Sequence, residues 1–374
     1  MSSYNEMPQD ANLEADSGEC LARSAFRRAK RVYVKHKGAS DRLLAQRSAF
    51  SAGSRQNDFF TRAVLECFAC HFLHNPAYRR LCLHQSILPG DIRKYADLGC
   101  LPYITVKAEN GHLQNILTTA AASSIKLYCR QNAADGQAAD IPLDARSLRR
   151  LRRAADNMGR AYRLYSRENV NYLFLTPSAG SQPDAWGIWE QVQLTQLTKI
   201  RHIHTGSAFA DGCAQVLERF RAEGSAWRIA GSPEQIIRLA ESAPQLDAEC
   251  LAARRSYAFA CTSWEEYGSL PRREIAQALG IPSSNVRAVC TAPLQLLPFC
   301  GCEAGKLHVP VYARIIVRDP QTLQPQIPSR SGLLQFLSPC LSGCASFSVL
   351  TEYKGHLETD CPCGRRAPVL IVEE

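Results

Sequence analysis

Short apolar runs alternate with amphipathic segments along the middle of the chain, and this alternation most constrains the fold. Runs of aromatic and aliphatic residues predict strands, and apolar positions spaced three to four residues apart predict helices. The predicted strands are Tyr172–Thr176, Trp227–Ala230, Tyr257–Thr262, Val286–Val289, Val311–Val317 and Leu333–Leu337, and the predicted helices include Ala208–Glu223, Pro233–Ala240 and Arg272–Leu279. Strands that alternate with helices predict an α/β architecture with a mostly parallel sheet.

The length of 374 residues predicts two domains, or one large domain with an appendage. We expect a flexible leader over residues 1–20, a large α/β domain over 21–309 and a small strand-rich part over 310–374. With 45% hydrophobic and 21% charged residues, the composition is that of a globular protein and excludes a disordered one. No apolar run approaches the ~20 residues that cross a bilayer. The N-terminus shows no signal peptide, so we expect a cytoplasmic protein with reduced thiols.

The charge is moderately positive, with 44 Lys and Arg against 35 Asp and Glu. Basic residues cluster over residues 27–31 and 146–153, and the second cluster has the apolar spacing of a helix, with Asp144 and Ser147 as candidate N-caps. One interpretation is a solvated basic helix face. The other is attraction of an anionic ligand, such as a nucleotide or a carrier-protein surface. Nucleic acid is the least favoured partner.

Four of the residues that bind soft metals are grouped by their spacing near the C-terminus. Cys302 precedes His308 in a Cys-x5-His pattern, and Cys361 and Cys363 form a Cys-x-Cys-Gly turn. Thiolates and imidazole are the ligands of tetrahedral zinc, and four of them leave no position for a reacting water. The pattern therefore predicts a structural zinc that clamps the C-terminal part. Cys300 could replace Cys302 as a ligand.

A series of ordered segments resembles one enzyme family over roughly residues 55–365. The segments are His74–Arg79, Leu101–Ile104, Lys306–Pro310, Ile316–Leu323, Gly332–Leu337, Ser348–Thr351 and Cys361–Arg365. They look like the bacterial acyl-protein synthetases of the LuxE type, which are related to phenylacetate–CoA ligases. The resemblance implies an adenylate-forming fold, use of ATP and Mg²⁺, and transfer of a fatty or aryl acyl group to a thiol.

The resemblance also assigns positions to the cofactor, namely Gly136, Trp264, Glu352 and Arg365. The family's phosphate loop falls on residues 131–136, within a predicted polar loop over 130–140. Only Gly136 survives there, and Asp135 would repel a phosphate. Cys290–Gln295 stands where the family has a Tyr-Gly-x-Thr-Glu motif whose Glu helps to hold Mg²⁺, and Tyr353 replaces the Asp that holds the ribose. These departures predict a degenerate member of the family.

Two residues are candidates for catalysis. His204 matches a region near the acyl pocket of the family, and Cys290 could accept an acyl group if a neighbour such as Arg287 lowers its pKa. We therefore expect a protein that handles an acyl group or acyl thioester in a biosynthetic pathway, as an acyl-activating ligase or an acyltransferase. The alternative is an inactive pseudoenzyme that acts as partner of an active acyltransferase, reductase or carrier protein.

Overall fold

The first part of the chain is helical in the computed structural model, which describes residues 15–105, 118–132, 138–166, 170–175, 203–206, 211–242 and 251–373. Its helices are α1 (Ala15–His36), α2 (Ala39–Leu44), α3 (Ser54–His74) and α4 (Pro76–His84). Helix α1 begins inside the stretch for which a flexible leader is predicted. Helix α4 begins at a cap, because the Asn75 side chain accepts a hydrogen bond from the Tyr78 backbone N–H at 2.8 Å. Within the described ranges, no helix is both long enough and apolar enough to span a bilayer.

A hairpin follows where the sequence predicts a loop. After the short strand β1 (Ile104–Thr105), strands β2 (Ile125–Asn132) and β3 (Ala138–Asp144) pair in antiparallel register and lead into helix α5 (Ala145–Ala161). The loop prediction over 130–140 is wrong at both ends. Small and polar residues give these strands no apolar pattern in the sequence. In the structure, Arg130 and Asp140 lie directly opposite each other and form an ion pair at 3.0 Å. The tip of the hairpin, with Gly136, lies outside the described residues.

Helix α5 uses part of its basic cluster inside the protein. The Asp144 side chain accepts a hydrogen bond from the Ser147 backbone N–H at 2.6 Å, which makes Asp144 the N-cap. Arg150 is 1% exposed and its Nε donates to Asp41 at 2.9 Å, and Arg146 donates to Asp41 at 2.8 Å and to the buried Glu66 at 3.1 Å. A solvated face is therefore wrong for these two arginines, because α2 and α3 supply carboxylates to them. Arg149, Arg152 and Arg153 of the same cluster are exposed.

A six-stranded, mostly parallel sheet occupies the middle of the chain and confirms the predicted α/β architecture. Its strands and connecting helices are β4 (Asn171–Leu175), β5 (Ile203–Gly206), α6 (Asp211–Ala222), β6 (Trp227–Gly231), α7 (Pro233–Glu241), α8 (Leu251–Arg254), β7 (Tyr257–Cys261), α9 (Arg272–Leu279), β8 (Val286–Thr291) and β9 (Pro298–Cys300). The strand order is β5-β4-β6-β7-β8-β9, in which only β9 is antiparallel. In doubly wound sheets of this order, ligands bind in the crevice at the carboxyl ends of the strands.

The two faces of this sheet contact different partners. Leu173 and Leu175 of β4 pack with Leu217 of α6 and Ile236 of α7 in a core on the helical face. Their alternate neighbours point the other way, as the period of a strand requires. Phe174 therefore lies in the main core, which also contains residues of α3, α5 and the C-terminal strands.

The C-terminal part is strand-rich, as predicted. Its strands are β10 (Leu307–His308), β11 (Arg314–Arg318), β12 (Gly332–Leu337), β13 (Ser348–Glu358) and β14 (Val369–Glu373), in the order β10-β14-β13-β12-β11. Strand β1 pairs with β13 in parallel, with Ile104 opposite Val349. The C-terminal sheet therefore includes a strand from the first third of the chain, and the domain boundary at residue 310 stays a prediction.

Candidate functional site

Two tight turns bring the predicted metal ligands together. In the first turn, the Gly305 N–H donates to the Cys302 carbonyl at 2.8 Å, and in the second, the Gly364 N–H donates to the Cys361 carbonyl at 3.0 Å. Both glycines have a φ of 78°, which other residues rarely adopt. The ligand atoms of four side chains thus lie within 4.8 Å of one another, those of Cys302, His308, Cys361 and Cys363. We call these four residues the Cys/His group.

The imidazole of His308 is oriented to bind a metal ion. The side chain is fully buried, and Nδ1 lies 3.0 Å from the carbonyl oxygen of Ala367. This contact assigns the proton to Nδ1, so that Nε2, 3.1 Å from the Cys363 Sγ, presents its lone pair. The Sγ atoms of Cys302 and Cys361 are 3.6 Å apart. Since zinc–sulfur bonds of about 2.3 Å separate two sulfurs of a tetrahedron by roughly 3.8 Å, the spacing fits a metal site.

The thiols of the Cys/His group are crowded. Burial and then hydrogen bonds with Cys363 and Cys302 raise the pKa of Cys361 to about 12. Without a metal ion the thiol therefore stays protonated. A bound divalent cation reverses this, because a thiol that coordinates a metal is deprotonated. The donor set and its crowding therefore fit a bound metal ion.

Arg365 lies beside the Cys/His group. Its guanidinium donates to Glu303 and lies 4.8 Å from the ring centre of Tyr162. Arg287 of β8, which is 1% exposed, donates to the same carboxylate at 3.1 Å. Although burial alone raises the pKa of Glu303, the hydrogen bond from Arg365 and the charge of Arg287 outweigh it, and the pKa falls to about 2. Glu303 thus links the Cys/His group to the parallel sheet, and a cofactor role for Arg365 stays a prediction.

Trp264 lies just after the carboxyl end of β7, at the crevice edge of the parallel sheet. Its Nε1–H donates to the Thr291 carbonyl at 2.6 Å, at the end of β8. The indole is 4% exposed and contacts the rings of Phe299 and Phe336 at centroid distances of 5.5 and 5.3 Å. Trp264 is therefore held by the protein itself at the place where the resemblance puts a cofactor contact.

The hairpin that carries the predicted phosphate loop reaches the same crevice. The Gln131 side chain, at the end of β2, accepts a hydrogen bond from the Leu294 backbone N–H at 2.7 Å. Leu294 belongs to the segment Cys290–Gln295, which stands in place of the family's Mg²⁺-binding motif. The structure thus brings together two segments that the resemblance assigns to the nucleotide, although they are far apart in the sequence.

The segment after β8 turns through two leucines in an unusual conformation. Leu294 and Leu296 both have a φ of 56°, in the left-handed region that L-residues other than Gly, Asn and Asp rarely adopt. Their side chains are 2% and 3% exposed in the main core. Apolar side chains are therefore buried in and just after the segment to which the resemblance assigns the Mg²⁺-binding motif.

Tyr353 is the crevice residue that strand β13 supplies. Its hydroxyl donates to the Glu265 carboxylate, and its ring lies 6.3 Å from that of Trp264. Burial and the neighbouring carboxylate raise the pKa of Tyr353, so the phenol stays protonated as donor. Glu352, the preceding residue on β13, is exposed. Its role as a substitute ribose ligand stays a prediction.

The two catalytic candidates differ in what the structure describes. Cys290 is 1% exposed, and burial raises its pKa well above the usual value. Arg287, three positions away on β8, lies on the opposite face of the strand and pairs with Glu303. A buried, protonated thiol is a poor nucleophile, so the geometry does not favour Cys290 as acyl acceptor. His204 lies on β5 opposite Leu173 of β4, and its side chain is outside the described residues.

Sequence reasoning missed Gln131, Glu265 and Glu303. Each acts through a partner that is distant in the chain, and no local motif marks it. By the resemblance, Glu265 stands where the family has a lysine after the tryptophan, and this reversed charge is the one signal that could have pointed to its pairing with Tyr353.

Comparisons with known proteins agree with this architecture. Residues 262–372 match the family model of "Acyl-protein synthetase, LuxE". The chain resembles 2-hydroxyisobutyryl-CoA ligase, solved in an open conformation with 2-HIB-AMP and CoA, with a TM-score of 0.65 and 14% identity over 87% of this chain and 72% of that chain. In its thioesterification state that ligase gives a TM-score of 0.65 and 15% identity over 87% and 68%. Curated proteins gave no match. The resemblance to acyl-protein synthetases and the adenylate-forming ligase fold are thus confirmed.

Proposed function

We propose that this protein handles a fatty or aryl acyl group in a cytoplasmic biosynthetic pathway and transfers it to a thiol, with a degenerate ATP site. The observation that carries the proposal is the convergence of Gln131, Trp264, Leu294 and Tyr353 on one edge of a ligase-type sheet. The ligase that shares this fold was solved with an acyl adenylate and CoA.

The described part of this crevice does not fit ATP with Mg²⁺. Mg²⁺ needs oxygen ligands in octahedral geometry. The segment after β8 instead buries Leu294 and Leu296, and the carboxylate of Glu265 already accepts the hydroxyl of Tyr353. We therefore favour an acyl thioester, rather than an acid activated with ATP, as the donor of the acyl group.

The transfer itself needs only a donor thioester and an acceptor thiol. The acceptor thiolate attacks the acyl carbonyl carbon, a new carbon–sulfur bond forms, and the bond to the donor sulfur breaks. The donor leaves as a thiolate and takes up the proton that the acceptor lost. His204 is our candidate for the base that receives this proton.

We further propose that the Cys/His group holds zinc in a structural role. A closed shell of three sulfurs and one nitrogen offers no open position for a substrate. The metal would fix the turn after β9 to the turn before β14, and Arg365 and Glu303 would connect it to β8.

The proposal is tested with purified protein and two assays. ATP–pyrophosphate exchange over a panel of fatty and aryl acids should give no signal, and labelled acyl-CoA donors should transfer their acyl group to a small thiol. The variant His204→Ala should lose transfer, and His84→Ala, at an exposed histidine of α4, is the control that should retain it. Exchange with any acid would overturn the degenerate site, and silence with every thioester donor would overturn acyl handling.

A second candidate is a catalytically inactive partner of an acyltransferase, a reductase or a carrier protein. It is favoured because polar groups of the crevice side chains form hydrogen bonds within the protein. The indole N–H of Trp264 donates to the Thr291 carbonyl, and the hydroxyl of Tyr353 donates to Glu265. This candidate predicts a stable complex by size-exclusion chromatography and no acyl transfer by the isolated chain. Calorimetric ATP binding in the micromolar range would count against it.

A further inference from the structure

Helices α1 and α4 expose an unusual mixture of apolar and basic side chains. Three of the five large hydrophobic residues exposed in the described chain lie here, Phe26 at 42%, Val34 at 65% and Leu83 at 41%. The helices are neighbours, because the Arg79 guanidinium of α4 lies 5.4 Å from the ring centre of Phe26. Exposed apolar side chains that gather on one surface mark interaction sites more often than scattered ones.

The exposed side of α1 is strongly basic. Residues 21–39 contain no Asp or Glu. Arg27, Lys30, Arg31 and Lys35 surround the exposed Val34 on an open surface of the helix. Their spacing of three, four and seven residues places them on one face over about 12 Å of helix. We call these five residues the α1 basic face.

The cations of the α1 basic face have no carboxylate partner within the described part of the chain. The nearby Arg28 pairs with Asp91 at 2.5 Å, and on α5 both Arg146 and Arg150 pair with Asp41. These three arginines, which contact other elements of the fold, thus have carboxylate partners. On the α1 basic face, the positive charges and the exposed Val34 remain available to a partner.

We propose that the α1 basic face docks an acidic amphipathic helix of a partner protein. Such a helix would present carboxylates to the four cations and an apolar side chain to Val34, which is the apolar centre and charged rim of protein interfaces. A nucleic acid would leave Val34, Phe26 and Leu83 exposed. A membrane requires a continuous apolar face, but Ala25 and Ala29 of α1 are buried, and this side of the helix packs on α3. The inference does not depend on the proposed acyl chemistry.

The experiment compares four probes by fluorescence anisotropy with the full chain. The first is a helical peptide of about 20 residues with Glu on one face around a Leu stripe, and the second is a scrambled peptide of the same composition. The third is a DNA duplex of about 20 base pairs, and the fourth consists of phosphatidylserine–phosphatidylcholine vesicles. The patterned peptide should bind at least about tenfold more tightly than the other probes, with an affinity that falls as salt increases.

Two variants and a matched control complete the test. Charge reversal to Glu at Arg27, Lys30, Arg31 and Lys35 should weaken binding of the patterned peptide at least about tenfold, and Val34→Asp should weaken it as a single change. The same reversal at the exposed residues Arg47, Lys126, Arg149 and Arg152 changes the net charge equally and should leave binding intact. Equal binding of the scrambled peptide, tighter binding of DNA or vesicles, or an equal loss in the control variant would overturn the proposal.

Discussion

Replacing Cys361 by serine tests the Cys/His group most directly. The change removes one of four ligand atoms, 3.6 Å from the Cys302 Sγ, and leaves a hydroxyl that binds zinc poorly. We expect the wild type to carry about one zinc per chain and the variant to carry clearly less. Elemental analysis of protein purified without added metal measures this difference.

The loss of the metal also has a predictable effect on stability. An ion present at 100 to 1,000 times its Kd stabilises the folded state by about 2.7–4.1 kcal/mol. The local structure has other supports, since β10 pairs with β14 and Lys306 forms an ion pair with Glu358 at 2.5 Å. We therefore expect Cys361→Ser to keep its sheet and lose about 3 kcal/mol of unfolding free energy. At about 2 °C per kcal/mol, we expect Tm to fall by about 6 °C.

Chelation and a neighbouring thiol provide the controls. A chelator should lower the Tm of the wild type by a similar amount and leave Cys361→Ser unchanged. Cys300 is a buried free thiol next to the Cys/His group, and Cys300→Ala should retain zinc. Equal zinc content in Cys361→Ser and wild type, or loss of zinc in Cys300→Ala, would refute the four-ligand site.

Three further changes probe the surrounding structure. Burial alone would raise the pKa of Asp41, but hydrogen bonds from Arg150 and Arg146 outweigh it and lower the pKa from 3.8 to about 2. The ionised carboxylate therefore stabilises the fold above pH 4, and this stabilisation is lost as the pH falls toward 2. Asp41→Asn should lower the free energy of unfolding by about 1–2 kcal/mol at pH 7, after allowance for solvent screening, and should flatten acid denaturation between pH 4 and 2. Glu303→Gln leaves the charge of the buried Arg287 uncompensated, so it should lower the free energy of unfolding in urea by about 1–2 kcal/mol and still retain zinc. A variant as stable as the wild type would contradict the role of Glu303 in linking the Cys/His group to the parallel sheet. Gly355→Ala places a Cβ against the carbonyl oxygen of Ile371 across β13 and β14, and should cost about 3 kcal/mol or more, whereas unchanged melting would contradict this strand register.

The sequence predicted those features that depend on local pattern. Apolar runs located β4, β6, β7, β8, β11 and β12, because a strand buried on both faces is apolar along its length. The Cys/His group was found from its spacing, since tight turns hold such ligands at short range. The hairpin of β2 and β3 was missed because its tip is rich in Ala and Asp, which are depleted in strands.

The contacts that depend on the tertiary fold were out of reach. Glu303 joins Arg287, 16 positions away, to Arg365, 62 positions away. The burial of Arg150 depends on a carboxylate that α2 brings from 109 positions away. A pattern of basic residues looks the same in the sequence whether the fold pairs them with carboxylates or leaves them exposed. The sequence therefore could not show that arginines of α5 are paired while the cations of the α1 basic face are exposed.

The pairing of β1 with β13 has a consequence for folding during synthesis. Ile104 pairs with Val349, which is synthesised 245 residues later. Helix α3 also depends on contacts that form late, because the Gln56 side chain donates to the Val311 carbonyl and the Cys67 thiol to the Pro339 carbonyl. These contacts of α3 therefore form only after 255 and 272 further residues have been added, and contacts of such long range form slowly. Nascent chains of this protein should therefore depend on chaperones until β13 has emerged.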